Sequence, residues 1–290
     1  MENLKLRIYG IRVNKKQFLI VEGIALLAFI RHQRNELEMQ KKDILDSIKY
    51  AKRIQSAILP PIKLVEHYLL DSFVIFKPKD IVAGDFYWIE KAENRIYFTA
   101  ADCTGHGVPG AMISVMCSNA LSKSVMEMGI QIPSEILDTT VKILEDNFSH
   151  SEEEVKDGMD LALCCLDRKN NILEYAGAYN PLYYIRDNEL NEIKPDKQPV
   201  GRKAERYPFT NHTLDIKSGD CIYIFSDGYA DQFGGPAGKK FMYKPFKELL
   251  MVNHEKKMSA QKQILEKTLD KWQGGLDQVD DICIIGLRVP

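Results

Sequence analysis

The chain has 290 residues, of which 45% are hydrophobic, 28% charged and 9% aromatic. This ordinary composition excludes the collagen-like, disordered and disulfide-scaffold classes of protein. The 39 basic and 41 acidic residues give a formal charge of −2. Such a balance argues against a protein built mainly to bind nucleic acid or an anionic bilayer, so no nucleic-acid partner is expected.

An apolar segment, FLIVEGIALLAFI, covers residues 18–30 and is interrupted by Glu22 and Gly23. It is too short for a bilayer-spanning helix, which needs about 20 residues. No small-residue cleavage site follows it, so a secretory signal is not expected. Two interpretations of residues 1–32 remain open: a helix buried against the rest of the protein or a partner, and a helix at a membrane surface.

Residues 33–59 carry long charged side chains and no Gly or Pro. Apolar residues recur every seven positions, at Leu37, Ile44, Ala51 and Ile58. This spacing predicts a long helix with a narrow apolar seam, compatible with a coiled coil in a parallel dimer. A lone amphipathic helix is the alternative, because Lys41 and Gln55 also fall on the seam. Pro60 and Pro61 end the helix, so residues 33–60 are expected to form a linker or signalling helix.

Residues 61–290 are predicted to form one domain of strands and helices. Apolar runs bounded by turn residues predict strands at 72–76, 86–89, 96–101, 161–166, 172–175, 182–185, 221–225 and 282–289. Helical stretches are predicted at 109–128, 133–148, 243–253 and 259–272. Groups of strands alternating with groups of helices favour an α+β fold with antiparallel sheets covered by helix pairs. The acidic, polar residues 149–160 are predicted to form a loop.

The six cysteines include no C-x-x-C pair, and most have apolar neighbours. This pattern predicts reduced, buried thiols in a reducing compartment and no cysteine-based zinc site.

Aspartates stand at the ends of several predicted strands, where glycine usually adjoins them. The residues concerned are Asp85, Asp102, Asp227, Asp280 and Asp281. If these carboxylates converge, they repel one another unless cations neutralise them. Ligand sets made only of oxygen atoms suit Mg²⁺ or Mn²⁺. The residue types therefore indicate metal-dependent hydrolysis of a phosphate ester, and a two-metal nuclease is the competing use of the same chemistry.

Five motifs, in chain order, resemble the SpoIIE/RsbU branch of the PPM (PP2C-type) protein serine/threonine phosphatases. They are AGDFYW, DCTGHGVPGAM, YAGAYNPLYYIR, FSDGYAD and VDDICIIGL. The preceding segment DILDSIKYAKRIQSAILPP resembles the linker found before this domain in many bacterial members. The resemblance covers about residues 69–290 and implies a PP2C-like α/β/β/α sandwich of two antiparallel sheets flanked by helix pairs.

The resemblance also implies two Mn²⁺ or Mg²⁺ ions and a set of ligands for them. Asp102 would bridge both ions, and the backbone carbonyl of Cys103 would bind one of them. Asp227 and Asp280 would hold the second ion, with Asp281 as the alternative to Asp280. The remaining ligand, Asp85, would bind an ion directly or through its water molecules.

Other candidate residues are less specific to the motif. His106 is the candidate for protonating the leaving serine oxygen, and a loop histidine is the alternative. A third metal site would use Asp231 together with Asp157 or Asp160. The alternative for each of these three residues is a solvated carboxylate or a capping role. No arginine of this sequence matches the phosphate-binding arginine of eukaryotic members.

The function implied is hydrolysis of phosphoserine or phosphothreonine on a bacterial signalling protein. In this branch the substrate is often a STAS-type anti-sigma-factor antagonist in a partner-switching system. The N-terminal helix would transmit a signal as a homodimer by repositioning the helices after Gly107 and Gly129. A cytoplasmic location is expected, with association with the inner face of the membrane through residues 18–30 as an option. The alternative function is a catalytically silent module that binds phosphoproteins or relays a dimeric signal.

Overall fold

In the computed structural model, the chain is described over residues 6–8, 11–13, 15–149 and 157–290. It divides into two compact units, Met1–Tyr50 and Ala51–Pro290. Residues 150–156 of the predicted loop at 149–160 lie outside the described residues, and residues 158–160 begin a strand, so the loop prediction was wrong there.

The first unit contains the antiparallel pair β1 (Leu6–Ile8) and β2 (Ile11–Val13), followed by most of helix α1 (Lys15–Ile58). The predicted apolar segment and the predicted linker helix thus belong to one helix, which ends before Pro60 as expected. Apolar side chains described in the segment are exposed, and Leu27 for example is 68% exposed. In the described part of the chain, no helix has an apolar stretch sufficient to cross a membrane.

The second unit begins within α1 and contains the remaining helices and strands. In chain order these are α2 (Ile62–Leu69), β3 (Ser72–Lys77), β4 (Phe86–Ala92), β5 (Arg95–Cys103), α3 (Gly107–Ser122), α4 (Pro133–Phe148), β6 (Gly158–Asp167), β7 (Ile172–Ala178), β8 (Leu182–Arg186), β9 (Glu189–Ile193), β10 (Val200–Gly201), β11 (His212–Asp215), β12 (Cys221–Phe225), α5 (Gly228–Asp231), β13 (Phe233–Gly234), β14 (Lys239–Lys240), α6 (Tyr243–Asn253), α7 (Met258–Gln273) and β15 (Ile282–Arg288).

Two antiparallel sheets form the centre of this unit. The first sheet has the order β11–β7–β6–β5–β4, with β10 paired to β6. The second sheet has the order β3–β15–β12–β8–β9. A separate hairpin joins β13 and β14.

The strands bury side chains on both faces, which explains their continuous apolar sequences. In β12, Ile222 and Ile224 belong to the core between the sheets. Tyr223 and Phe225 alternate with them and pack with side chains of α6 and α7. The first sheet packs in the same way against α3 and α4 on its outer face. This two-residue alternation yields the α/β/β/α sandwich that the motifs imply, so the expected fold is confirmed.

The predicted elements differ from the observed ones at their ends, and several short elements were not predicted, namely β1, β2, α2, β10, β11, α5, β13 and β14. β5 continues through Cys103, so that Asp102 lies within the strand and not after it. The predicted helix 109–128 ends at Ser122 and continues as a π-helical turn, Lys123–Glu127. The edge strand β9 was missed because its sequence, ELNEI, is mostly polar and partly exposed. All six cysteines are free and buried, as predicted.

Candidate functional site

Strands of both sheets bring aspartates to one end of the sandwich. Asp85 precedes β4 and Asp102 lies near the end of β5, both in the first sheet. Asp227 follows β12 and Asp280 precedes β15, both in the second sheet. The structure therefore brings together the carboxylates that the sequence placed at separate strand ends.

Asp102 lies at the centre of this carboxyl cluster. Its carboxyl group is next to those of Asp85 and Asp227. Burial, together with the charges of Asp227 and Asp280, raises the pKa of Asp102 to about 8. Burial also raises the pKa of Asp227, and repulsion from the charges of Asp231 and Asp280 acts in the same direction. Without cations, the cluster is therefore electrostatically unfavourable in its ionised form.

Asp85 is the most deeply buried member, with 1% of its surface exposed. Burial and the charge of Asp102 hold its pKa well above the ordinary value. The hydroxyl of Ser226 donates a hydrogen bond to Asp85 Oδ2 at 2.5 Å and accepts one from the backbone N–H of Cys283 at 2.9 Å. Ser226 thereby connects Asp85 of the first sheet to two strands of the second.

The two adjacent aspartates before β15 have different surroundings. Asp281 is buried, and its two carboxylate oxygens accept the backbone N–H groups of Lys79 and Gly84, each at 2.7 Å. The charge of Asp280 raises the pKa values of Asp102 and Asp227, and the charges of both adjacent aspartates raise the pKa of Asp85. Asp281 fixes the loop before β4, while Asp280 belongs to the carboxyl cluster.

The loops beside the cluster approach each other too closely for side chains. A Cβ atom on Gly84 would lie 2.3 Å from the carbonyl oxygen of Gly105 and 3.2 Å from that of Cys103. A Cβ atom on Gly110, in the first turns of α3, would lie 2.2 Å from the same Gly105 oxygen. Gly105 itself has φ +84°, which L-residues rarely adopt. Backbone groups, including the Cys103 carbonyl, therefore lie close beside Asp85 and Asp102.

The candidates for a third metal site do not share one environment. Asp160 pairs with Asp102 across β5 and β6, and burial together with Asp227 raises its pKa to about 6. The carboxylate of Asp231 forms an ion pair with Lys240, with Nζ and Oδ2 2.6 Å apart. Asp157 lies just before β6, with its carbonyl oxygen against Gly201.

His106 lies at the surface, where 59% of its side chain is exposed. Its Nδ1 is 3.1 Å from Oδ2 of Asp80. The His106 ring therefore contacts Asp80, which lies four residues before Gly84 and outside the carboxyl cluster. The assignment of His106 as a proton donor remains a prediction.

The donor set fits divalent cations. Oδ1 of Asp227 is buried and has no hydrogen-bond partner, and a buried acceptor of this kind is costly unless something binds it. Oxygen atoms of carboxylates and carbonyls are also the ligands that Mg²⁺ and Mn²⁺ prefer. Within the described residues, however, no three Asp, Glu, His or Cys side chains are already arranged around one point.

Sequence reasoning missed Ser226 and Lys240. Ser226 stands inside the FSDGYAD motif, so the motif itself carried a signal for it. Lys240 lies nine residues after Asp231 in a segment whose hairpin was not predicted, and only the pairing of β13 with β14 brings it back to the cluster.

Comparisons with known proteins agree with this geometry. The family model described as Stage II sporulation protein E (SpoIIE) matches residues 92–290. The phosphoserine phosphatase RsbU of Bacillus subtilis is 27% identical over 206 residues, which are 71% of this chain and 59% of RsbU. This chain thus spans less than two thirds of that relative's length.

Two solved structures share the fold. The SiaA-PP2C domain of Pseudomonas aeruginosa is 31% identical, with a TM-score of 0.79, over 86% of this chain and 98% of that domain. RsbX, solved in complex with magnesium, is 14% identical, with a TM-score of 0.52, over 75% of this chain and 94% of RsbX. The motifs, the sandwich and the family match together establish that the chain belongs to the SpoIIE family, in the SpoIIE/RsbU-type branch of the PPM phosphatases.

Proposed function

We propose that this protein is a metal-dependent phosphatase that hydrolyses phosphoserine or phosphothreonine on a protein. The observation that carries the proposal is the convergence of Asp85, Asp102, Asp227 and Asp280 at one end of the sandwich, with Oδ1 of Asp227 buried and unpaired. Similarity to the phosphoserine phosphatase RsbU supports the same reaction.

In this proposal the ions are Mn²⁺ or Mg²⁺, and each carboxylate has a role. Asp102 would be a ligand of both ions, because its carboxyl group is next to those of Asp85 and Asp227. The Cys103 carbonyl would hold one ion, Asp227 with Asp280 would hold the other, and Asp85 would bind an ion directly or through its water molecules. Both oxygens of Asp281 already bind backbone N–H groups, which supports Asp280 as the ligand. When bound, the ions would supply an activated water and positive charge for the phosphoryl group.

The reaction transfers a phosphoryl group to water. The P–O bond to the serine or threonine oxygen breaks, a P–O bond to water forms, and the water proton is passed on to the leaving oxygen. The protein contributes a rigid carboxylate frame, held by Ser226 and Asp281 from outside the cluster. His106 is the candidate donor of the proton to the leaving oxygen, and its contact with Asp80 would orient the ring.

The substrate in this proposal is a STAS-type anti-sigma-factor antagonist, as the resemblance implies. The domain organisation is an N-terminal apolar segment over 1–32, a signalling helix over 33–60 and the phosphatase domain over 61–290. The apolar seam of α1 supports a homodimer, because Leu37 and Ile44 are 65% and 61% exposed in the single chain. The six free cysteines support a cytoplasmic location, and residues 18–30 would account for any contact with the membrane.

The decisive experiment is release of phosphate from a phosphoserine peptide by the full chain, in EDTA, Mg²⁺ or Mn²⁺. Turnover that requires metal and is lost in Asp102→Asn would support the proposal. Absence of turnover with every metal, in the full chain and in a chain that starts near Leu69, would contradict it.

A catalytically silent module is the second candidate. The observation in its favour is that the described carboxylates are not already arranged as a metal site. Such a module would bind a phosphoserine peptide without releasing phosphate, so the same assay combined with a binding measurement separates the two functions.

A further inference from the structure

Lys240 occupies a rigid position next to the carboxyl cluster. It lies on β14, opposite Phe233 of β13. The next residue, Phe241, is buried and packs edge-on against the rings of Tyr229 and Trp272. Its backbone N–H also donates to the carbonyl of Gln232 at 3.0 Å. The backbone at Lys240 is therefore held by its pairing with β13 and by the buried ring and hydrogen bond of Phe241.

The ammonium group of Lys240 faces the second-sheet side of the cluster. Its Nζ lies 2.6 Å from Oδ2 of Asp231. Asp231 stands one helical turn after Asp227, since its N–H donates to the Asp227 carbonyl at 3.0 Å. The hydrogen bond to Asp231 raises the pKa of Lys240, and the charges of Asp231, Asp227 and Asp280 act in the same direction. The side chain is nevertheless 41% exposed, which leaves its other N–H groups accessible from solvent.

Lys77, one of the two lysines near Asp85 in the sequence, is directed away from the cluster. The ammonium group of Lys77 pairs with Asp270 of α7 at 2.8 Å. Lys79 contributes its backbone N–H to Asp281. Lys240, in contrast, is a basic neighbour of Asp227 that favours the ionised carboxylate.

We propose that Lys240 positions the substrate by donating a hydrogen bond from Nζ to a non-bridging oxygen of the phosphoserine or phosphothreonine phosphoryl group. This proposal rests on the proposed function. An ammonium suits a phosphate dianion, because a charge-assisted hydrogen bond is about twice as strong as a neutral one. Asp231 holds the ammonium group at the edge of the cluster before the substrate arrives. Lys240 donates no proton to the leaving oxygen and forms no covalent bond.

Lys240→Met is the test variant, because methionine keeps the length and apolar character of the stem and removes the charge. Lys239→Met is the matched control: Lys239 is the preceding residue of β14 and is exposed. Two measurements are made on each full-length chain loaded with Mn²⁺. The first is the dissociation constant of inorganic phosphate by titration calorimetry, and the second is kcat and KM for a phosphoserine peptide. Titration with Mn²⁺ alone counts the bound ions.

In Lys240→Met, phosphate binding and kcat/KM should weaken by about 10- to 100-fold, the range for one hydrogen bond between charged groups. Lys240→Arg should recover part of the loss, while Lys239→Met and the Mn²⁺ count should match wild type. Unchanged phosphate binding with only a lower melting temperature would overturn the proposal and make Lys240 a structural partner of Asp231. One additional Mn²⁺ per chain with phosphate binding retained would also overturn it, because Lys240 would then replace a third cation.

Failure of the proposed function gives a different result. A wild-type chain that releases no phosphate, yet binds inorganic phosphate in a Lys240-dependent way, would reject the phosphatase and retain the anion-positioning role. A wild-type chain loaded with Mn²⁺ that binds no phosphate would reject the role of Lys240 itself.

Discussion

At the scale of single residues, neighbouring aspartates have opposite energetic roles. Asp281 stabilises the fold, because its carboxylate accepts hydrogen bonds from the backbone N–H groups of Lys79 and Gly84. The charge of Asp280 repels those of Asp102 and Asp227 and raises their pKa values. In the sequence these residues are two adjacent aspartates before a strand. Their roles are distinguished by the backbone partners of Asp281, which lie about 200 positions earlier in the chain.

Asp280→Asn and Asp281→Asn should therefore differ in stability and in metal response. Asp280→Asn should leave the melting temperature of the metal-free protein unchanged or slightly higher, because Asn Oδ1 can still accept the Asp281 N–H, now 2.8 Å away. It should reduce the stabilisation produced by Mn²⁺. Asp281→Asn should cost about 2–3 kcal/mol, since an amide nitrogen would face one of the N–H donors.

Thermal unfolding of both variants in EDTA and in Mn²⁺ measures this difference. Our assignment of Asp280 would be wrong if Asp281→Asn kept its stability and lost the Mn²⁺ response while Asp280→Asn retained that response.

At the scale of elements, α3 is packed against the loops that carry the carboxylates. Gly110 lets the helix approach the Gly105 carbonyl, and Gly84 lets the loop before β4 approach the same atom. At the other side, the buried Gln55 at the end of α1 donates to the Ala83 carbonyl at 2.5 Å and to Ser114 of α3 at 3.0 Å. Gln55 also accepts the Ala83 N–H at 3.1 Å. The last turns of α1 thus contact both the loop that carries Asp85 and helix α3.

Gly110→Ala should disturb this arrangement. Its Cβ atom would lie 2.2 Å from the Gly105 oxygen, far inside contact distance, so α3 must move away from the cluster. Overpacking of this kind typically costs about 1–3 kcal/mol. We expect a lower melting temperature and a larger loss of Mn²⁺-dependent phosphate release than stability alone explains.

Gly275→Ala is the control for Gly110→Ala, because nothing lies within 4 Å of its added Cβ atom. It should stay within about 0.5 kcal/mol of wild type. Equal effects of the two substitutions would refute the role assigned to the glycine contact.

At the scale of the whole molecule, the seam of α1 is the feature that a single chain leaves uncovered. Leu37 and Ile44 are exposed at the seven-residue spacing of a coiled coil. A second copy of the chain would cover them with the same residues, which is why we expect a parallel dimer. The exposed apolar residues of the 18–30 segment precede this seam on the same helix.

Ile44→Lys should weaken self-association of the full chain, since it places a charge in the apolar seam. Sedimentation velocity should show a shift from dimer to monomer at the same concentration. Met39→Lys is the control, because Met39 is similarly exposed at 61% but lies off the seam. A wild-type chain that sediments as a monomer at all concentrations would contradict the dimer, as would a peptide of residues 33–59 without helix or self-association.

Hydrophobic patterns along the sequence predicted most of the long strands and helices of the sandwich, and the motifs indicated the aspartates that are proposed to hold metal ions. Hydrophobic periodicity is a local property, and strands such as β12 and helices such as α4 were therefore predicted close to their bounds. The motifs also specified the branch of the family, because five short segments retain their order along the chain.

Which side chains contact one another depends on the tertiary structure. The opposite roles of Asp280 and Asp281, the bridge made by Ser226 and the place of Lys240 all depend on contacts between residues of different sheets or hairpins. The contact of His106 with Asp80 likewise follows from loop geometry that no local pattern encodes. Side-chain partners depend on how strands pair and how sheets stack. The spacing of residues along the chain does not specify the distances between side chains of different strands.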